Sequence, residues 1–196
     1  ITNYVAIETG QPLHALDFEK MDGGELRIRY SQINEPVELL DGTKYILDTE
    51  TIVLADVNDP LDIAGIKGGK KAEITPRTKA IIMTAANFDR TAIYKASRKY
   101  NVKTDASQRF SHQLAPALVP DAIGRATELM VELCGARLGE VIDIERIKHK
   151  SSVISFDYKK FVEFSGLPIS KNKALTYLKR LGFVVQFRHD DVTPLH

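Results

Sequence analysis

Apolar and polar positions alternate in short stretches up to about residue 87, and helical spacing takes over after it. Residues 1–8 carry Tyr4, Val5 and Ile7, then meet Gly10 and Pro12, which reads as the last turns of a helix. His14 follows and is expected in a loop. From residue 25 the period is two: Leu26, Ile28 and Tyr30 alternate with Arg27 and Arg29, the pattern of a half-buried strand. Residues 37–40 and 44–47 flank Asp41-Gly42, a strong hairpin signal. Residues 51–55 and 61–64 read as further strands. The almost wholly apolar 78–86 reads as a central strand covered on both faces.

Beyond Asn87, Asp89 can cap a helix carrying Ile93, Ala96 and Tyr100, with Asn101 as its end. Pro116 or Pro120 opens a second helix with Ile123, Leu129, Met130 and Leu133, closed by Gly135. Both are expected to cover the sheet. Residues 141–144 read as a strand, and the charged stretch 145–150 as a domain boundary. The pattern restarts with a strand at 153–156, helices at 158–166 and 170–181, and a strand at 183–187. Phe161, Leu175, Leu178 and Phe183 are the expected core of this tail.

Composition narrows the classes of function. The chain has 196 residues, 43% of them hydrophobic, enough for one filled core and a small appended unit. Lys+Arg 27 against Asp+Glu 26 leaves a net charge of +1, so any RNA contact must be local. The single Cys134 excludes an internal disulfide or a cysteine metal cluster, and its apolar surroundings predict a buried thiol in a reducing compartment, which fits the cytoplasm. The five histidines, at 14, 112, 149, 189 and 196, show no ligand spacing, so no metal site is expected. No Gly-x-Ser-x-Gly elbow marks a serine hydrolase. No apolar run approaches the ~20 residues of a membrane span. Ile1 falls inside a motif, and the final strand lacks a partner, so the chain is expected to be a piece of a longer polypeptide.

Three polar islands interrupt the apolar elements: Asn3, Gln11 and His14; the glycine-rich 65–69; and residues 104–110. Glycines at the end of a strand make a turn or a bulge, or let the backbone approach a ligand. The 61–69 run is not a phosphate loop, because Lys67 precedes the paired glycines and no Gly-Lys-Ser/Thr follows. His14 in a loop reads equally as a solvated side chain, Thr104 as a helix cap and Arg109 as an ion-pair partner. Spacing alone does not unite the three.

The residues together carry a resemblance. Asn3-Tyr4-Val5, Gly10-Gln11-Pro12-Leu13-His14-Ala15-x-Asp17, Asp41-Gly42, Ala64-Gly65-Ile66-x-Gly68-Gly69, Ala86-x-Phe88 and Thr104-Asp105-Ala106-Ser107-x-Arg109-Phe110 stand in an order and spacing that resembles the bacterial phenylalanyl-tRNA synthetase β subunit. The resemblance implies an α+β fold, with mixed or antiparallel sheets covered by helices. Residues 1–145 would be an editing, tRNA-binding domain lacking its first part, and 151–196 the truncated start of a small helical, DNA-binding-like domain. It further implies a cytoplasmic heterotetramer of two α and two β subunits that charges tRNA(Phe) with phenylalanine using ATP and magnesium, with no cofactor in this piece.

The editing domain of that family hydrolyses tRNA(Phe) mischarged with tyrosine, because a phenylalanine pocket rejects an added hydroxyl poorly. Its site residues map onto Asn3 and His14 near the aminoacyl ester, Ala64, Gly65 and Gly68 as a close backbone wall, and Thr104 and Ala106 as the floor. Lys67 falls outside that set. The implied chemistry is attack by a positioned water, with His14 orienting or polarising. One position departs from the pattern: Thr84 stands where the family usually has a glutamate that accepts the tyrosine hydroxyl, and Ser111-His112-Gln113 replaces the family's Glu-Arg-Gly after Arg109-Phe110. A carboxylate hydrogen bond contributes roughly 1.5–3 kcal/mol, so sequence alone expects weakened editing. Three readings follow: an editing hydrolase, a degenerate domain kept for β-subunit architecture and RNA binding, and a stand-alone RNA- or protein-binding module.

Overall fold

The computed structural model describes residues 1–145 and 153–186. It separates into two compact units, Ile1–Glu145 and Arg146–His196. Of the predicted boundary stretch 145–150, all but Glu145 lies outside the described residues, as does Phe187 of the predicted last strand.

The first unit is α+β. In chain order it runs α1 (Thr2–Thr9), β1 (Leu13–Asp17), β2 (Arg27–Tyr30), β3 (Glu35–Glu38), β4 (Lys44–Leu47), β5 (Ile52–Ala55), β6 (Pro60–Ile63), β7 (Lys67–Gly68), β8 (Ile81–Ala85), α2 (Arg90–Lys99), α3 (Asp105–Ser111) and α4 (Leu118–Cys134). Every strand pair is antiparallel. β2, β5, β6 and β7 form a four-stranded sheet in that order; β3 and β4 form a hairpin, and β1 pairs with β8. The hairpin is stitched to the larger sheet by a bridge between Leu39 and Gly69, and by the Leu40 amide donating to the Gly68 carbonyl at 3.0 Å.

Side-chain parity explains the layers. Val37, Leu39, Val53 and Ile63 bury one sheet surface against Ile93 and Ala96 of α2 and Phe110 of α3. Leu54, Leu61 and Ala64 join Leu16 of β1 in a second cluster. Val5 of α1 meets Ala122, Ala126 and Leu129 of α4 in a third, which also holds Leu13 and Met83. Helix ends follow local chemistry: Asp89 accepts from the Ala92 amide, and Thr104 and Ser107 form a reciprocal capping box at the start of α3.

Several expectations are corrected. His14 lies in β1, not in a loop. β8 is not central: its strand partner is β1, all its residues are only half-buried, and α4 packs on it. An apolar run reports cover by any layer, so helix cover looks the same as a second strand neighbour. In β2 the expected alternation fails: Ile28 and Tyr30 are 56% and 60% exposed, Arg27 is exposed as well, and Arg29 is the half-buried residue. Arg29 turns inward because the buried Glu35 carboxylate takes both its Nη atoms, at 2.6 and 2.9 Å. Residues 141–144, 153–156 and 183–186 form no strand, consistent with the lack of a neighbouring strand among the described residues. Cys134 is exposed, one position off the Ala122, Ala126, Leu129 stripe that α4 buries.

In the second unit, α5 (Tyr158–Ser165) is capped by Asp157 and α6 (Lys171–Arg180) by Ser170. The Tyr158 hydroxyl donates to the Ile169 carbonyl at 2.6 Å, and Phe156 packs on Phe161. Its core differs from the expected one. Ala174 is buried, Phe161, Leu175 and Leu178 are half-buried, and Phe183 is exposed.

One polar cluster fixes the loops at the edge of the main sheet. Asp56 is buried and accepts from the amides of Asp22, Asn58 and Asp59 at 3.0, 2.9 and 2.8 Å, while Lys71 Nζ lies 2.7 Å from its carboxylate. Burial alone would raise this carboxyl, but the bonds from Lys71 and the three amides outweigh it and hold it at about 2, against an ordinary 3.8. A carboxyl lowered on folding stabilises above its unfolded value and loses that contribution as pH falls through the folded one. Thermal stability is therefore expected to fall through this group as pH drops from about 4 to about 2. Asp56→Asn should cost about 2 kcal/mol at neutral pH and flatten that acid limb, read by calorimetry across pH.

Candidate active site

A cleft of about 100 Å³, open in part to solvent, lies where the β1–β8 pair, the β6–β7 turn and α3 meet. β1 brings His14 and β8 brings Thr84, directly opposite each other in register. The turn brings Gly65 and Gly68, α3 brings Ala106, and Phe88 and Phe110 close the apolar wall. The two phenyl rings meet edge to face at 5.1 Å.

The glycines make the shape possible. Gly65 has φ +67°, and a Cβ there would lie 2.9 Å from Phe88 and 3.1 Å from Phe110. A Cβ at Gly68 would lie 2.7 Å from His14 Cε1, so the bare backbone is what lets the imidazole lie down on β7. Gln11, fully buried, donates from Nε2 to the carbonyls of Pro12 and Ala86 and so ties the approach to β1 to the end of β8.

Beneath the imidazole is a carboxylate. Asp62 on β6 is 4% exposed, and its Oδ1 accepts from the Leu54 amide at 3.0 Å. Its Oδ2 faces His14 Nε2 at 3.8 Å, outside hydrogen-bond reach. His14 Nε2 and Gln11 Oε1 are, among the described residues, the buried side-chain polar atoms without a hydrogen-bond partner. Burial pushes the Asp62 carboxyl up to about 7, only partly offset by the Leu54 amide. Burial likewise lowers the imidazole of His14 from 6.5. Both groups are therefore pressed toward their neutral forms in this pocket.

The residues expected in the site part company here. His14, Gly65, Gly68, Thr84 and Ala106 all line the cleft. Ala64 is fully buried outside the lining. Thr104 caps α3 and donates from Oγ1 to the Ile66 carbonyl at 2.7 Å, holding the turn rather than facing the cleft. Asn3 is exposed on α1 and does not line it, because the helix turns Val5 inward instead. Lys67, expected outside, does line the cleft, with its ammonium held by Asp41 at 2.6 Å. Thr84 Oγ1 donates weakly to the His14 carbonyl at 3.4 Å. Asp62 was missed because a single Asp in Pro60-Leu61-Asp62-Ile63 reads as the solvent side of a strand, whereas all four residues are buried.

A separate acidic group, Asp22, Asp56 and Asp59, brings ligand atoms within 4.8 Å of one another. Lys71 Nζ sits 2.6–2.7 Å from all three carboxylates and fills the place a cation would take.

A family model for the B3/4 domain matches residues 1–135. The chain belongs to the B3/4 domain family. It is also similar to proteins named phenylalanine–tRNA ligase beta subunit. One from Legionella pneumophila (strain Lens) is 38% identical over 187 residues, covering 94% of this chain and 24% of that protein. One from Yersinia pestis is 35% identical over 184 residues, 93% of this chain and 23% of the relative. One from Vibrio vulnificus (strain YJ016) is 37% identical over 188 residues, 95% and 24%. The chain thus spans about a quarter of the length of the curated relatives it matches.

The close seat of His14 yields a prediction. Gly68→Ala should lift the imidazole off β7 and return its titration toward 6.5, read from His14 ring signals in an NMR pH series. Gly124→Ala, which meets nothing within 4 Å, should leave those signals in place.

Proposed function

We propose that this B3/4 domain hydrolyses the ester of tRNA(Phe) mischarged with tyrosine, within the β subunit of a phenylalanine–tRNA ligase. The observation that carries the reading is the cleft itself. Segments about ninety positions apart, from His14 to Ala106, converge on a hollow with an aromatic wall and a polar end. An aromatic side chain would lie against Phe88 and Phe110, and the ester would reach the open mouth, where tRNA can follow.

The side chains lining the cleft include no serine or cysteine, and the Thr84 hydroxyl is turned back to the His14 carbonyl. Water is the attacking group in this proposal. Its oxygen adds to the ester carbonyl, the ribose oxygen leaves and takes up a proton, and free tyrosine and tRNA are released. His14 acts by hydrogen bonding to the bound side chain from the polar end of the hollow, away from the ester, and forms no covalent intermediate.

The whole protein is proposed to work in the cytoplasm with an α subunit in an α2β2 heterotetramer on tRNA(Phe), using ATP and magnesium for charging. The cleft does not fit that metal: it offers one carboxylate, Asp62, and the acidic group elsewhere is already satisfied by Lys71. No step here runs through ATP or magnesium.

A second reading, a non-editing domain kept for architecture and RNA binding, draws on Thr84 in the glutamate's place and on its hydroxyl being engaged with the backbone. Deacylation separates the two. The assembled ligase carrying this chain should release tyrosine from Tyr-tRNA(Phe), and His14→Ala should slow that release by one to two powers of ten. No release by the unmodified enzyme would favour the non-editing reading.

A further inference from the structure

The cleft contains two polar atoms placed to share one guest. His14 Nε2 is buried without a partner, and Asp62 Oδ2 faces it at 3.8 Å. That gap is too long for a direct bond and too short for a chain of waters, but a single oxygen can sit about 2.8 Å from both. With Asp62 ionised, such an oxygen belongs to an O–H group, which donates to the carboxylate and accepts from Nε2–H. Both residues line the cleft whose other wall is the Phe88–Phe110 pair, so the O–H would be carried at the end of an aromatic side chain.

Resting on the editing reading above, we infer that Asp62, with His14, binds the para-hydroxyl of the tyrosyl group and is the residue that distinguishes tyrosine from phenylalanine in this domain. Thr84 lines the same cleft, but its Oγ1 is uncharged and leans toward the His14 carbonyl at 3.4 Å, and Lys67 is held by Asp41. Asp62 is the one carboxylate among the lining residues. Its backbone is fixed on both sides, paired with Leu54 of β5 and Gly68 of β7, and Oδ1 is fixed by the Leu54 amide, so Oδ2 needs no rearrangement to receive the hydroxyl. Phenylalanine would bury the same pair with nothing between them, leaving an unpaired imidazole N–H and a desolvated carboxylate. A carboxyl pushed up to about 7 by burial gains a stabilising donor only when the hydroxyl is present.

The test uses the assembled ligase and tRNA(Phe) charged with tyrosine, phenylalanine or O-methyltyrosine. The unmodified enzyme should release tyrosine at least ten-fold faster than the other two, since O-methyltyrosine keeps the oxygen but cannot donate to Asp62. Asp62→Asn, which keeps the shape and can keep the Leu54 bond, should lose that preference by ten- to a hundred-fold, with tyrosine release slowed and phenylalanine release equal or faster, since no carboxylate is then left desolvated. Loss of rate on all esters alike would place the attacking water there instead and overturn the inference. So would an Asp62→Asn enzyme that still discriminates, or O-methyltyrosine released as fast as tyrosine, a result that needs no variant to fold. If the unmodified enzyme releases no tyrosine at all, the editing reading fails first and this inference falls with it.

Discussion

Backbone packed directly on backbone at Gly69 is the constraint on which the site depends. A Cβ there would lie 2.1 Å from the Leu61 carbonyl oxygen, so no other residue can stand at that point. The contact lets the chain double back after β6, and the Lys70 amide then reaches the Glu38 carbonyl at 2.8 Å to clamp the β3–β4 hairpin over the turn. The hairpin then packs Val37 and Leu39 on Ile63 of β6, while Asp62, the residue before it, is 4% exposed beneath the imidazole of His14.

Sealing a carboxylate costs free energy that a fold tolerates when the group has work to do or partners to satisfy it. Asp56 and Asp62 illustrate both cases in one sheet. Asp56 is surrounded by three amides and an ammonium, and its carboxyl is driven down to about 2. Asp62 has one amide and a neutral imidazole out of bonding reach, and its carboxyl is driven up to about 7. The first holds loops together; the second is left underbonded where a ligand can complete it.

Local chemistry made much of the fold legible. The Asp41-Gly42 hairpin, the Asp89 and Ser170 caps, and the helix stops at Gly10 and Gly135 are set by residues a few positions apart, and all stand where the pattern puts them. What failed depends on distant partners. The phase of β2 is decided by Arg29 meeting Glu35, and β8 takes its cover from a helix rather than a second strand. His14, Gly65, Gly68 and Ala106, expected through a resemblance in ordered motifs, line the cleft, as does Thr84, expected as a departure from the family's pattern. Asn3 and Thr104, equally part of those motifs, serve the helix surface and a cap instead. Asp62 lay inside an apolar run and carried no signal, because its partners, His14 of β1 and the Leu54 amide of β5, are brought to it only by the fold.

The most direct measurement is a structure of the domain with a non-hydrolysable tyrosyl-adenosine amide bound. The phenolic oxygen should lie within about 3 Å of both Asp62 Oδ2 and His14 Nε2, with the ring against Phe88 and Phe110. A phenolic oxygen bonded elsewhere, or an amide linkage rather than a hydroxyl between Asp62 and His14, would contradict the account.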